Sequence, residues 1–170
     1  KTLKQLTGKE KALFSCEGAV SVDAAIKFVR KWGVEVKKIK GLPHIISTDK
    51  NFHGRTLGAV AMSPVAQYKN GFGPFPNGLD TRIPFGDPDA LIRAITDDTV
   101  AFFVEVIAGE GGIHVPYRGY LRDVRKICDD YNILLVDDEI QTGLGRTGYD
   151  LAYQYEDITP DVIILGKALG

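Results

Sequence analysis

Three short and almost wholly apolar runs, Thr99–Val106, Ile133–Val136 and Val162–Leu165, constrain this chain more than any other feature of it. Each has the length of a strand, and none alternates polar with apolar residues, so a strand formed there must be covered on both faces. Helices on both sides of a parallel sheet meet that condition, and amphipathic segments do alternate with the runs. Val22, Ala25, Ile26 and Val29 recur at helical spacing, with Lys27, Arg30 and Lys31 on the opposite side. Leu121, Val124, Ile127, Cys128 and Tyr131 form a second stripe over Tyr117–Tyr131. Asp87-Pro88 predicts an N-cap with proline at the first helical position, and Leu91, Ile92 and Ile95 then face inward. Lys11–Ser15 and Pro43–Thr48 read as further strands, and Gly33 as the residue that closes the first long helix. The predicted fold class is α/β, a mostly parallel sheet flanked by helices.

Composition narrows the function classes. The net charge is −1, with 21 basic and 22 acidic residues interspersed, so no basic stripe offers itself to nucleic acid or to a membrane surface. No apolar run is long enough to span a bilayer, and no targeting segment is visible, which predicts a cytoplasmic or mitochondrial-matrix protein. Three scattered histidines, His44, His53 and His114, and two cysteines without ligand spacing predict no metal site. His53 reads as an ordinary loop histidine, and Trp32 and Met62 as core. The 19 glycines cluster at Gly71–Gly78, Gly109–Gly112 and Gly143–Gly148, where tight turns or close approach to a ligand are expected. Gly71–Pro84 is long and irregular, a length more often found in functional loops than in idle ones.

In open α/β sheets, ligands bind at the carboxyl ends of the strands. Phe52 and Arg55 follow Pro43–Thr48, Glu105 closes Thr99–Val106, and Asp137, Asp138 and Glu139 follow Ile133–Val136. Lys167 follows Val162–Leu165 after one glycine, and Gly18 opens the first long helix. Taken singly, each is an ordinary surface charge or turn residue; their convergence is the signal. A lysine desolvated beside an apolar strand end is a competent nucleophile toward an aldehyde. A carboxylate at a neighbouring strand end can hold a pyridine nitrogen protonated. A helix N-terminus can bind a phosphate. Adjacent strand residues point opposite ways, so this reasoning does not choose between Asp137 and Asp138.

The run Leu135-Val136-Asp137-Asp138-Glu139-Ile140-Gln141-Thr142-Gly143-Leu144-Gly145-Arg146-Thr147-Gly148 resembles the signature of the class III aminotransferases. So does Pro160-Asp161-Val162-Ile163-Ile164-Leu165-Gly166-Lys167-Ala168-Leu169-Gly170, and the interval from Asp138 to Lys167 matches as well. Asn51-Phe52-His53-Gly54-Arg55-Thr56 and Val104-Glu105-Val106-Ile107-Ala108-Gly109-Glu110-Gly111-Gly112 extend the likeness over nearly the whole chain. The resemblance implies the large cofactor-binding domain of fold-type I transferases, with pyridoxal 5′-phosphate as cofactor. Residues 1–170 are then its central part, without the N-terminal segment and the C-terminal small domain.

The same resemblance implies the site. Lys167 would carry the cofactor on its amine and move the substrate proton, and Asp138 would pair with the pyridine nitrogen. Gln141 would bond the phenolic oxygen, Phe52 would stack on the ring, and Gly18 and Ala19 would belong to the phosphate cup. Arg55 would hold a substrate carboxylate, and Glu110 would pair with a second arginine until a dicarboxylate enters. Partners are a small-molecule amino donor and a 2-oxo acid, with the full-length protein a homodimer or higher homo-oligomer. Lys31-Trp32-Gly33 and Gly71-Phe72-Gly73-Pro74-Phe75 most resemble the members that transfer the terminal amino group of ornithine. Acetylornithine and 4-aminobutyrate are the alternative donors, and a folded, non-catalytic remnant is the alternative class. A nucleotide-binding module has no glycine fingerprint or P-loop behind it. Two departures from the pattern stand out. Glu17 replaces the hydroxyl residue of the phosphate cup, where a carboxylate is expected to repel the phosphate. Val106 and Ala108 replace the usual proline and glutamine after Glu105.

Overall fold

The apolar runs become three adjacent strands of a five-stranded sheet in which every neighbouring pair is parallel. The computed structural model describes residues 2–169; Lys1, and the Gly170 that ends the second motif, lie outside them. The strands are β1 (His44–Thr48), β2 (Thr81–Ile83), β3 (Thr99–Val104), β4 (Leu134–Asp138) and β5 (Val162–Ile164), in the order β2-β1-β3-β4-β5. The helices are α1 (Thr2–Thr7), α2 (Gly18–Glu35), α3 (Leu57–Ala61), α4 (Pro88–Ala94) and α5 (Tyr120–Asp130). Among the described residues no helix is long and apolar enough to cross a membrane.

Both faces of the sheet are covered, and the period of two sorts the side chains. Ile45, Phe103, Val136 and Ile164 pack with Val22, Ile26 and Val29 of α2 and Ala59 of α3. Their chain neighbours Ile46, Phe102 and Leu135 pack on the other face with Leu91 of α4 and Leu121, Val124 and Cys128 of α5. Each such large apolar side chain, fully buried, contributes about 1.5–3 kcal/mol of transfer free energy. Asp87 caps α4 as expected: its carboxylate accepts the Ala90 N–H at 2.8 Å, and Pro88 follows it. The chain runs from β1 to the edge strand β2, then jumps back past β1 to β3. The strand order therefore reverses between β1 and β3, and the crevice at their carboxyl ends is the natural ligand position.

Several local expectations fail for identifiable reasons. Lys11–Ser15 is no strand; it meets no free sheet edge, and Leu13 and Phe14 are 81% and 77% exposed. Strand β2 lies inside the stretch read as an irregular loop, because three residues are too few to show a period. Ile92 and Tyr131 are exposed, the latter lying just past the end of α5. Gly33 does not end α2; the helix continues to Glu35. A Cβ at residue 33 would stand 2.3 Å from Val100 Cγ1, so glycine is there to let α2 settle onto β3.

Gly33→Ala is accordingly expected to destabilise the protein. Alanine gains up to about 1 kcal/mol in helix propensity. Overpacking against the fully buried Val100 costs about 1–3 kcal/mol and outweighs it. Urea unfolding measures the balance, and a midpoint at or above that of the parent protein would show that β3 gives way without cost.

Candidate active site

The loops after β1, β3, β4 and β5 meet the start of α2 around a cavity of about 250 Å³. The β1 loop contributes Phe52, His53 and Gly54, and Glu105 follows directly on β3. Asp138, Ile140 and Gln141 come from the end of β4, Lys167 from beyond β5, and Gly18 and Ala19 from the first turn of α2. Two glycines permit this closeness. Gly54 has φ +121°, and a Cβ there would fall 2.6 Å from the Cβ of Ala19. A Cβ on Gly109 would lie 1.7 Å from Gln141 Oε1. A larger open hollow of about 460 Å³ beside α1, lined by Leu3, Lys4, Lys9 and Lys11 among others, gathers none of the predicted site residues.

The run Asp137-Asp138-Glu139 splits into three environments. Asp138 shares its face of β4 with Val136 and reaches the cavity wall. His53 Nδ1–H donates to its Oδ2 at 2.7 Å, and the Ile140 N–H donates to Oδ1 at 3.1 Å. Asp137 turns into the opposite face, fully buried, with neither carboxyl oxygen hydrogen-bonded. Burial first, then the charges of Glu139 and Asp138, push its pKa well above the usual carboxylate range. Glu139 is structural: its carboxylate accepts the Thr142 hydroxyl at 2.6 Å and the Tyr153 N–H at 3.0 Å.

His53 is a core member of the site rather than an ordinary loop residue. Its imidazole is buried, and Nε2 has no protein partner. Burial opposes the imidazolium, but the hydrogen bond and charge of Asp138, with Glu105 behind them, outweigh it and raise the pKa above its ordinary 6.5. Glu105 accepts the Phe52 N–H at 2.7 Å and the Gly109 N–H at 3.3 Å, tying the β1 and β3 loops together. Its own pKa is raised by burial, with the His53 charge and the Phe52 N–H pulling the other way. Neither contact was visible in the sequence, because His53 and Asp138 are far apart in the chain and each alone looks unremarkable.

The remaining predicted residues lie at or beyond the rim. Lys167 lines the cavity but is exposed, so the desolvation expected at its amine is not present here. Its φ of +47° is left-handed, a conformation that costs a non-glycine residue about 1–2 kcal/mol. Arg55 and Glu110 are exposed and do not line the cavity. Glu17 is exposed at the N-cap position of α2, makes no capping bond and stands outside the cavity lining. Repulsion of a phosphate from that position acts through water, and so is far weaker than in a dry site.

The class III aminotransferase family model matches residues 1–170, and the chain belongs to that family. It is 50% identical to the ornithine aminotransferase of Exiguobacterium sp. over 97% of this chain and 41% of that protein. Its identity to the ornithine aminotransferase of Bacillus cereus is also 50%, over 98% of this chain and 42% of that protein. The chain thus spans about two fifths of the length of these curated relatives. Among solved structures, the ornithine aminotransferase of Toxoplasma gondii ME49 superposes with a TM-score of 0.95 at 40% identity, over 99% of this chain and 40% of that one. The acetylornithine aminotransferase of Elizabethkingia anophelis gives 0.81 at 40% identity, over 99% of this chain and 41% of that one. The family is pyridoxal-phosphate-dependent, and a second Toxoplasma gondii structure has partial occupancy of PLP at its active site.

The residues present fit that cofactor. The first N–H groups of α2 have no partner within the helix and open on the cavity, where a phosphate is welcome. A carboxylate held at both oxygens, a flat aromatic side chain and a primary amine complete the donor set.

The raised pKa values of Asp137 and His53 carry a sign. Both groups bind a proton more tightly folded than unfolded, so their contribution to stability is full at low pH and is lost as pH rises. For Asp137 the loss begins above its unfolded value of 3.8 and continues up to the raised folded value. Asp137→Asn removes that titration and is expected to make stability fall less steeply from about pH 4 upward. Denaturant unfolding across pH checks this, and an unchanged slope would mean that Asp137 titrates normally.

Proposed function

We propose that this chain is the cofactor-binding core of an aminotransferase that moves the terminal amino group of ornithine to 2-oxoglutarate, giving glutamate semialdehyde and glutamate. The observation that carries the reading is the meeting of Gly18, Ala19, Phe52, Asp138, Gln141 and Lys167, from three strand ends and one helix start, around one cavity. Ornithine is preferred to acetylornithine because the curated relatives at 50% identity are ornithine aminotransferases.

Bound pyridoxal phosphate supplies an electron sink for the pair left when a proton leaves the substrate carbon. In this reading Lys167 would hold the cofactor through Nζ and would serve as the base that takes and returns the proton at the substrate carbon. Asp138 keeps a proton on the pyridine nitrogen, because a nearby carboxylate favours the charged form. The bond from His53 keeps Asp138 oriented for that task. Phe52 covers a face of the ring, Gln141 bonds the phenolic oxygen, and the N–H groups of Gly18 and Ala19 receive the phosphate. Arg55 takes a substrate carboxylate. The role of Glu110, as partner of a second arginine, rests on the family motif alone. A homo-oligomer is the proposed assembly, supported by Leu13, Phe14, Ile113 and Val115, large apolar side chains that lie in water on the single chain.

In the full-length enzyme, Lys167→Ala is expected to lower turnover of ornithine about 10²–10⁴-fold or more and to abolish the visible absorbance of lysine-bound cofactor. A variant that keeps both would sink the assignment, and a parent protein that never acquires the absorbance would favour the non-catalytic remnant. Glu17→Ser is expected to tighten cofactor binding by less than about fivefold, since the carboxylate is screened by water. A gain of an order of magnitude or more in a fluorescence titration would place Glu17 against the phosphate.

A further inference from the structure

The geometry points to Tyr68 as the positioning residue that holds Arg55 ready for the carboxylate of the amino donor, an inference that rests on the function proposed above. The Arg55 guanidinium carbon lies 4.2 Å from the centroid of the Tyr68 ring and 5.9 Å from that of Phe52. Phe52 and Tyr68 meet edge to face at 6.1 Å, which joins the Tyr68 ring to a residue of the cavity wall. A guanidinium held over a ring by cation–π attraction spends none of its N–H donors on that contact and keeps them for a two-pronged grip on a carboxylate. Among the described residues Arg55 forms no ion pair, so that grip is unspent.

Ring and arginine are fixed to the same short helix. Arg55 immediately precedes Thr56, whose hydroxyl accepts the Ala59 N–H and caps α3. Tyr68 ends the single 3-10 turn Ala66–Tyr68. The next residue, Lys69, donates from Nζ to the carbonyls of Ala61 at 2.7 Å and Ser63 at 3.3 Å, at the far end of α3. The distance between the ring and the arginine is thus set by α3 and by one buttressing lysine. An exposed arginine without such a platform samples many rotamers and must be ordered when substrate arrives. With it, much of the ordering is done beforehand.

The test uses the full-length holoenzyme with ornithine as donor and 1,4-diaminobutane, which lacks the carboxylate, as a competing amine. Tyr68→Leu is expected to raise KM for ornithine about fivefold, the scale of an exposed cation–π contact, with kcat little changed. The Ki of the diamine should not move, and Tyr68→Phe should restore the parent KM. In NMR spectra the Arg55 Nε–H signal should lose its ring-current shift in Tyr68→Leu and keep it in Tyr68→Phe. If Arg55→Gln raises KM while Tyr68→Leu does not, the positioning role is overturned and the carboxylate assignment of Arg55 survives. If Tyr68→Leu weakens both ligands equally, the ring is general packing and the inference fails. If neither variant alters KM, Arg55 is not the carboxylate site, and the reading beneath the inference falls with it.

Discussion

Everything in this molecule depends on the burial of β3 on both faces. Its six residues, Thr99–Val104, are all buried, and no other arrangement than helices on either side of a parallel sheet supplies cover for them. Parallel strands need crossovers, and crossovers deliver every strand's carboxyl end to the same edge. The cavity sits at that edge. It is therefore a product of the same constraint that built the core, and the groups that line it need no scaffold of their own. The Gly33 contact with Val100 shows how tightly the constraint is drawn: a single methyl group between α2 and β3 is too much.

The legible parts of the sequence were those in which one local rule acts alone. Continuous apolar runs located β3, β4 and β5, helical spacing located α2 and α5, and Asp87-Pro88 marked the start of α4. What stayed hidden required a partner. Lys11–Ser15 has the composition of a strand but pairs with neither edge of the sheet, while Thr81-Arg82-Ile83 has little strand character and is recruited by β1. Gly33 looked like a helix terminator because its packing partner lies on another element. The start of α5 was also hidden: Glu156 reaches back to accept the N–H groups of Gly119, Leu121 and Arg122, an anchor with no local signature.

The site followed the same division. Residues at strand ends could be named in advance, since topology alone sends them to one place. The alternation along β4 then separates Asp137 from Asp138, one to the hydrophobic core beneath and one to the cavity. The hydrogen bond from His53 to Asp138 could not be read ahead, because it joins a loop to a strand end that only the sheet brings together. It also bears on the energetics: a hydrogen-bond partner at its carboxylate lowers the cost of keeping Asp138 out of water.

The cavity draws on residues from Gly18 to Lys167, nearly the full span of the chain, and Gly18 itself lies close against Gly166. Such a site has no partial form. While the chain is being synthesised, the segment around β5 emerges after the other four strands, and until it docks beside β4 the Gly18 end and the Lys167 end of the cavity belong to separate pieces. A ligand that bridges them therefore selects for completed molecules, and its binding doubles as a check that the long-range pairing of the sheet has finished.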